Sequence, residues 1–141
     1  MSESFEDILK QVNEIPTKKL SVANAQDLPV MEAVAEAKAK KIADPILVGD
    51  EEKIREIAKQ IAFDLSDVRV INEPDMQQAA LTAVKLVHDG EADMYMKGAL
   101  DSKTFLRSVL NKDVGLRTGK TLSHVCVFEI KGIKRLLFLT D

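Results

Sequence analysis

From Lys18 to Lys112 the chain alternates short apolar runs with longer segments in which apolar side chains recur three or four residues apart. The first rhythm is that of a buried strand, the second that of an amphipathic helix. Ahead of them stands an N-terminal helix with Phe5, Ile8, Leu9 and Val12 on one stripe, after which Pro16 leads into a strand, LSVANA. Pro29, suited to a first helical turn, opens a helix with Val30, Met31, Val34 and Ala37 on one side. DPILVGD reads as a strand closed by a turn. EEKIREIAKQIAF reads as a helix striped by Ile54, Ile57, Ala58 and Ile61, with Glu51 and Glu52 at its positive end. VRVINEP is a strand stopped by Pro74; Met76, Ala79, Ala80, Ala83, Val84 and Val87 mark a helix that Gly90 terminates. ADMYMKG supplies a fourth strand. ALDSKTFLRSVL supplies the next helix, capped by Asp101 or Ser102 and burying Phe105, Leu106, Val109 and Leu110.

Strand and helix repeated in this way with short links predict an α/β fold: a three-layer arrangement with a mostly parallel sheet and helices on both faces. Ligands of such sheets bind beyond the carboxyl ends of the strands, near helix N-termini. The loops to examine are therefore ANAQDLP, VGDEE, NEPDM and MKGALDSK. After Lys112 the pattern changes. A glycine-containing loop precedes a strand over Leu122 to Ile130, a Lys-Gly turn and a second strand over Lys134 to Thr140, predicting an antiparallel hairpin at the edge of the sheet. The apolar strand RLLFLTD has no following helix to cover it, so the expectation is cover by another chain or by further protein, and with it self-association.

At 141 residues, 45% hydrophobic and 30% charged, the chain has the size and composition of one globular domain. No apolar run approaches the roughly 18–20 residues of a membrane span. The acidic, amphipathic start MSESFEDILK does not resemble a secretion signal, so a cytoplasmic protein is expected. A net charge of -3 argues against nucleic acid as a partner. The single cysteine, Cys126, lies in an apolar strand and reads as a small core residue; with it and only His88 and His124 there is no metal-ligand pattern.

The chemistry worth weighing lies in MKGALDSKTFLRSVL. A helix N-terminus carries about half a positive charge, and Lys97, Ser102, Lys103, Thr104 and Arg107 gather around this one. That set suits phosphate or carboxylate; a capped, solvated helix face is the plainer alternative. GLRTGKT has only three residues between its glycines and precedes a strand, so it is not a P-loop. Ser123 and His124 are neighbours on a strand, where their side chains diverge, so they do not read as a nucleophile and its base.

The series KGALDSKTFLRSVLNK, GLRTG and LSHVCVFE, with DPILVGDEEKIREIA before it and RLLFLTD after it, resembles the phosphate butyryltransferase branch of the phosphate acetyl/butyryltransferase family. The likeness runs from about Lys18 to the last residue. It implies an acyltransferase that moves a butanoyl or similar short or branched acyl group between coenzyme A and inorganic phosphate. Both are substrates, and no cofactor or metal is needed. It further implies the first domain, of the isocitrate/isopropylmalate dehydrogenase type, of a normally two-domain and oligomeric enzyme with its active site in the interdomain cleft. Residues 1–141 would be that single α/β domain, without the second domain and the returning C-terminal segment. The serine and aspartate assigned to catalysis in the acetyl branch belong to the C-terminal part, so no catalytic residue is carried over. What the resemblance does place on the cleft wall is Lys97, Gly98, Ser102, Thr104, Arg107, Arg117 and Ser123, as substrate- or phosphate-binding positions. The alternative kept beside it is a non-catalytic α/β module that binds a ligand or mediates association.

Overall fold

The computed structural model describes residues 3–140, which form two compact units: residues 18–117, and residues 3–17 together with 118–140. In the larger unit β1 (Lys18–Ala23), β2 (Ala43–Gly49), β3 (Arg69–Asn72) and β4 (Met94–Lys97) form a parallel sheet in the order β3-β2-β1-β4. Between and after them run α2 (Leu28–Ala39), α3 (Glu51–Gln60), α4 (Met76–His88) and α5 (Ser102–Val109). Each of the four helices begins on an aspartate, Asp27, Asp50, Asp75 or Asp101, whose carboxylate accepts an N–H of the first turn.

A strand covered on both faces reads as a near-continuous apolar run, as β2 does over residues 45–48. Val22 and Leu47 face α2 and α3, where Met31, Val34, Ile54 and Ala58 complete one core. Ala23, Ile46 and Val48 face the other way, onto Ala79, Ala80 and Ala83 of α4, with Phe105 of α5 packed beside them. Three alanines in a row of turns let α4 lie close to the sheet. Ser21, fully buried on that side, donates its hydroxyl to the Ala83 carbonyl at 2.7 Å, so burying it leaves no polar atom unpaired. Fully burying a side chain such as Leu47 contributes about 1.5–3 kcal/mol.

The expected helices on both faces are present, and their division has a consequence. The chain leaves β1 for α2 on one face and leaves β4 for α5 on the other, although β1 and β4 are neighbours. That reversal opens the space beyond their carboxyl ends, the usual ligand crevice of a doubly wound sheet.

The smaller unit holds α1 (Phe5–Asn13), which buries none of its residues, and the antiparallel pair β5 (Val125–Phe128) and β6 (Leu137–Thr140). Three sequence expectations are corrected here. The hairpin is a separate two-stranded sheet and does not extend the edge of the four-stranded one. Its strands are also shorter than the apolar runs, because the Lys131-Gly132 turn, with Gly132 at φ 93°, is flanked by irregular backbone on both sides. Phe138 and Leu139 are well exposed, on opposite faces of the ribbon. Cys126 is half-buried rather than core, with its sulfur 3.5 Å from Nε2 of His124.

Candidate functional site

The candidate anion corner is the junction of β4 and α5. Lys97 ends β4 and is exposed; Gly98 turns the chain and is buried. The turn presses on the end of β1. The Gly98 N–H donates to the Ala23 carbonyl and the Ala99 N–H to the Asn24 carbonyl, both at 2.9 Å. A Cβ on Gly98 would stand 2.3 Å from Ala23 O and 2.5 Å from Asn24 O. Gly98 thus contributes closeness, and its own N–H is engaged by β1.

Asp101, not Ser102, caps α5. One carboxylate oxygen accepts the Thr104 N–H at 2.8 Å and the other accepts the Thr104 hydroxyl at 2.7 Å. Those bonds, hydroxyl first, hold the Asp101 carboxyl below the ordinary carboxylate range, and the Lys103 N–H adds to the effect. The helix start therefore already faces one negative charge. Lys97 before the helix, Lys103 in its first turn and Arg107 in its last turn have no carboxylate partner among the described residues; Lys38, Lys40, Lys53, Arg55, Arg69 and Lys85 have one, and Lys18, Lys19, Lys59 and Lys112 share the lack of one. Arg107 and Thr104 line a hollow of about 140 Å³ between α4 and α5, shared with Gln77, Leu81, Ser108 and Asn111. Lys103 and Arg107, four apart, lie on one side of α5.

The buried side of α5 differs from its sequence pattern. Leu106 and Leu110 are more than two-fifths exposed, while Ser108 is buried. The reason is Tyr95 on β4. Its ring stacks on Phe105 with centroids 4.6 Å apart. The Ser108 hydroxyl donates to the Phe105 carbonyl at 2.6 Å, and the Tyr95 hydroxyl has Ser108 Oγ at 2.8 Å and Ala80 O at 3.2 Å within reach. Burial pushes the Tyr95 hydroxyl above its ordinary range, an effect the Ser108 bond offsets in part. This seat fixes α5, and hence Arg107, against α4 and β4. Sequence pattern had no sign of it beyond a serine among leucines.

Arg117 is exposed at the end of the larger unit, past Gly115, whose carbonyl accepts the Nδ1–H of His88 at 2.8 Å. That hydrogen bond, beyond any dipole effect, accounts for the histidine in the last turn of α4. Ser123 belongs to the smaller unit, exposed just ahead of β5. Lys97, Gly98, Ser102 and Thr104 thus lie at the junction of β4 and α5, while Arg107 stands in the last turn of α5 and shares a hollow with Thr104. Asn24 and Gln26, which the sequence reading passed over, sit at the end of β1 against that junction: Asn24 Nδ2 donates to Ala99 O, and Gln26 Nε2 donates to Asn24 Oδ1. Among the described residues no cluster of histidine, cysteine and carboxylate side chains is arranged to hold a metal, and no helix is long and apolar enough to cross a membrane.

The model of the family described as phosphate acetyl/butaryl transferase matches residues 4–80 and 71–141. The chain belongs to this family. Its relatives include the phosphate butyryltransferases of Clostridium beijerinckii, 58% identical, and Clostridium acetobutylicum, 57% identical. In both cases all 141 residues are aligned, against 47% of the relative. The chain thus spans about half the length of the curated relatives it matches. Among solved structures, a phosphotransacetylase from Streptococcus pyogenes superposes with a TM-score of 0.73 at 19% identity, over 96% of this chain and 50% of that one. That likeness establishes the α/β fold of the phosphate acetyl/butyryl transferases here, with the parallel sheet and the antiparallel hairpin.

Proposed function

We propose that this chain is the phosphate-binding part of a phosphate acyltransferase acting on a butanoyl or similar short acyl group. In the reaction, an oxygen of inorganic phosphate bonds to the thioester carbonyl carbon of butanoyl-CoA. The carbon–sulfur bond breaks, and CoA leaves as a thiolate beside butanoyl phosphate. The single observation that carries the reading is the surplus of unpaired cations along the β4–α5 segment: Lys97 at the strand end, Lys103 in the first turn of α5 and Arg107 in its last turn, against Asp101 alone. A dianionic nucleophile must be held without losing its reactivity. A permanently charged, bidentate arginine together with a helix N-terminus does that by positioning and neutralisation. The 58% identity to a phosphate butyryltransferase supports the acyl class. Lys97, Gly98, Ser102, Thr104 and Arg107 form the phosphate wall in this proposal, with Arg117 and Ser123 contributing from further along the chain. CoA and phosphate enter as substrates with no added cofactor, in the cytoplasm, and the working form is a homo-oligomer.

The test is release of free thiol from butanoyl-CoA by the purified protein, followed with a thiol reagent. Release that requires phosphate, and that Arg107→Ala abolishes at ordinary phosphate concentrations, is the expected result. Phosphate-dependent release that Arg107→Ala leaves intact removes the corner from the site.

A further inference from the structure

We infer that Asn24 and Gln26 are positioning residues for the anion corner, tying the ends of β1, β2 and β4 together so that the Lys97–Gly98–Ala99 turn keeps the path that phosphate binding needs. The inference rests on the phosphate reading above.

Asn24 is buried and left-handed, at φ 58°, in a chain that could have placed glycine there without steric cost. Left-handed residues other than glycine gather at functional sites, where the surroundings hold them. The surroundings here are a directed chain of amides. The Ala99 carbonyl can only accept, so Asn24 must present Nδ2 to it, at 2.5 Å. Asn24 Oδ1 must then face a donor, and Gln26 Nε2 supplies one at 2.6 Å. Gln26 Oε1 is left to accept the Asp50 N–H at 3.2 Å, at the start of α3. Each partner fixes the orientation of the next, and three strand-end loops are linked through two side chains. The turn after β4 is gripped by this chain and by the two main-chain bonds from Gly98 and Ala99, with no room for a side chain at position 98. Its shape is therefore set by β1, not by its own sequence, and Lys97 and α5 hang from either end of it.

A turn with only a structural duty would be served equally by glycine at position 24. Asn24→Gly keeps the left-handed backbone and removes both bonds of the side-chain amide, the one it donates to Ala99 O and the one it accepts from Gln26 Nε2. Gln26→Glu keeps an acceptor for the Asp50 N–H but confronts Asn24 Oδ1 with an oxygen. Both variants, with Arg107→Ala beside them, are titrated with inorganic phosphate while the backbone amide resonances of the whole chain are followed. The expected result is that all three fold and that Asn24→Gly and Gln26→Glu each raise the half-saturating phosphate concentration about fivefold, the loss of about one hydrogen bond. A raised value in Arg107→Ala alone overturns the inference and leaves the phosphate reading in place. Unchanged values in all three overturn the phosphate reading, and the inference falls with it.

Discussion

The corner where β2 runs into α3 and the corner where β4 runs into α5 are built to the same plan. Each has a glycine at the end of its strand or just past it, a capping aspartate and a basic residue on the helix beyond, and each touches the end of β1. Their charges diverge. Residues 50–55 carry three carboxylates, Asp50, Glu51 and Glu52, against two cations, and those cations are paired: Arg55 with Glu51 at 2.8 Å and Lys53 with Asp50 at 3.7 Å. Residues 97–107 carry three cations, Lys97, Lys103 and Arg107, against Asp101 alone. A helix start whose side chains neutralise one another has finished its electrostatics within the chain. One left with surplus positive charge is arranged for an anion from outside. The family likeness alone would not have told these two corners apart.

The contrast can be broken first at its glycines. A Cβ at position 98 meets the backbone oxygens of Ala23 and Asn24, which cannot move without unpairing β1 from β4. At position 49 its nearest neighbour is the tip of the Gln26 side chain. Gly98→Ala should therefore cost about 2–3 kcal/mol in denaturant unfolding and Gly49→Ala about 1 kcal/mol. Equal losses would mean that the β4 turn is no tighter than the β2 turn. Next in size comes the arginine pair. Arg107→Ala should raise the half-saturating phosphate concentration about tenfold or more, the equivalent of a charge-assisted hydrogen bond, while Arg55→Ala leaves it within about twofold. Parallel behaviour of the two variants would erase the distinction between the corners.

A smaller effect sharpens the comparison from the acidic side. Asp101→Asn keeps a capping oxygen but removes the negative charge that phosphate must share space with. It should lower the half-saturating phosphate concentration by about twofold to fivefold. Tighter binding is the diagnostic sign, because a merely damaged cap would weaken it. The same carboxylate predicts a pH effect. Its folded-state pKa is depressed, so the stability it contributes is present above the ordinary carboxylate range and is lost as pH falls through the lowered value. In acid unfolding below about pH 4, Asp101→Asn should lose part of the wild-type dependence on pH.

The elements of this fold were legible because local signals agreed. Apolar stripes at helical spacing announced α2 through α5, and Gly90, at φ 79°, ended α4 where the pattern said it would. The cations proposed for the anion corner could be picked out as well, since Lys97, Lys103 and Arg107 lie on one strand end and the helix that follows it. What stayed hidden depends on partners far away in sequence. Leu106 and Leu110 look like core on a helical wheel, yet the inner face of α5 is taken by Ser108, because a tyrosine on β4 brings a hydroxyl there that needs a partner. The loop ANAQDLP was expected at the end of the first strand, but not the left-handed turn at Asn24 or its side-chain bond to the Ala99 carbonyl, whose partner lies far along the chain. Nor could two apolar runs reveal that they form a sheet of their own.

β1 and β4 are adjacent in the sheet, but Asn24 and Ala99, which meet at their ends, lie 75 residues apart along the chain. Bringing such distant segments together closes the largest loop in the parallel sheet, and contacts of that range form slowly because the entropy of closure comes before the reward. A folding molecule can complete α2, α3 and their strands from local pairings while the β4–α5 corner has nowhere to dock. By contact order, the corner proposed for phosphate is thus the part of the sheet whose closure costs the most chain entropy.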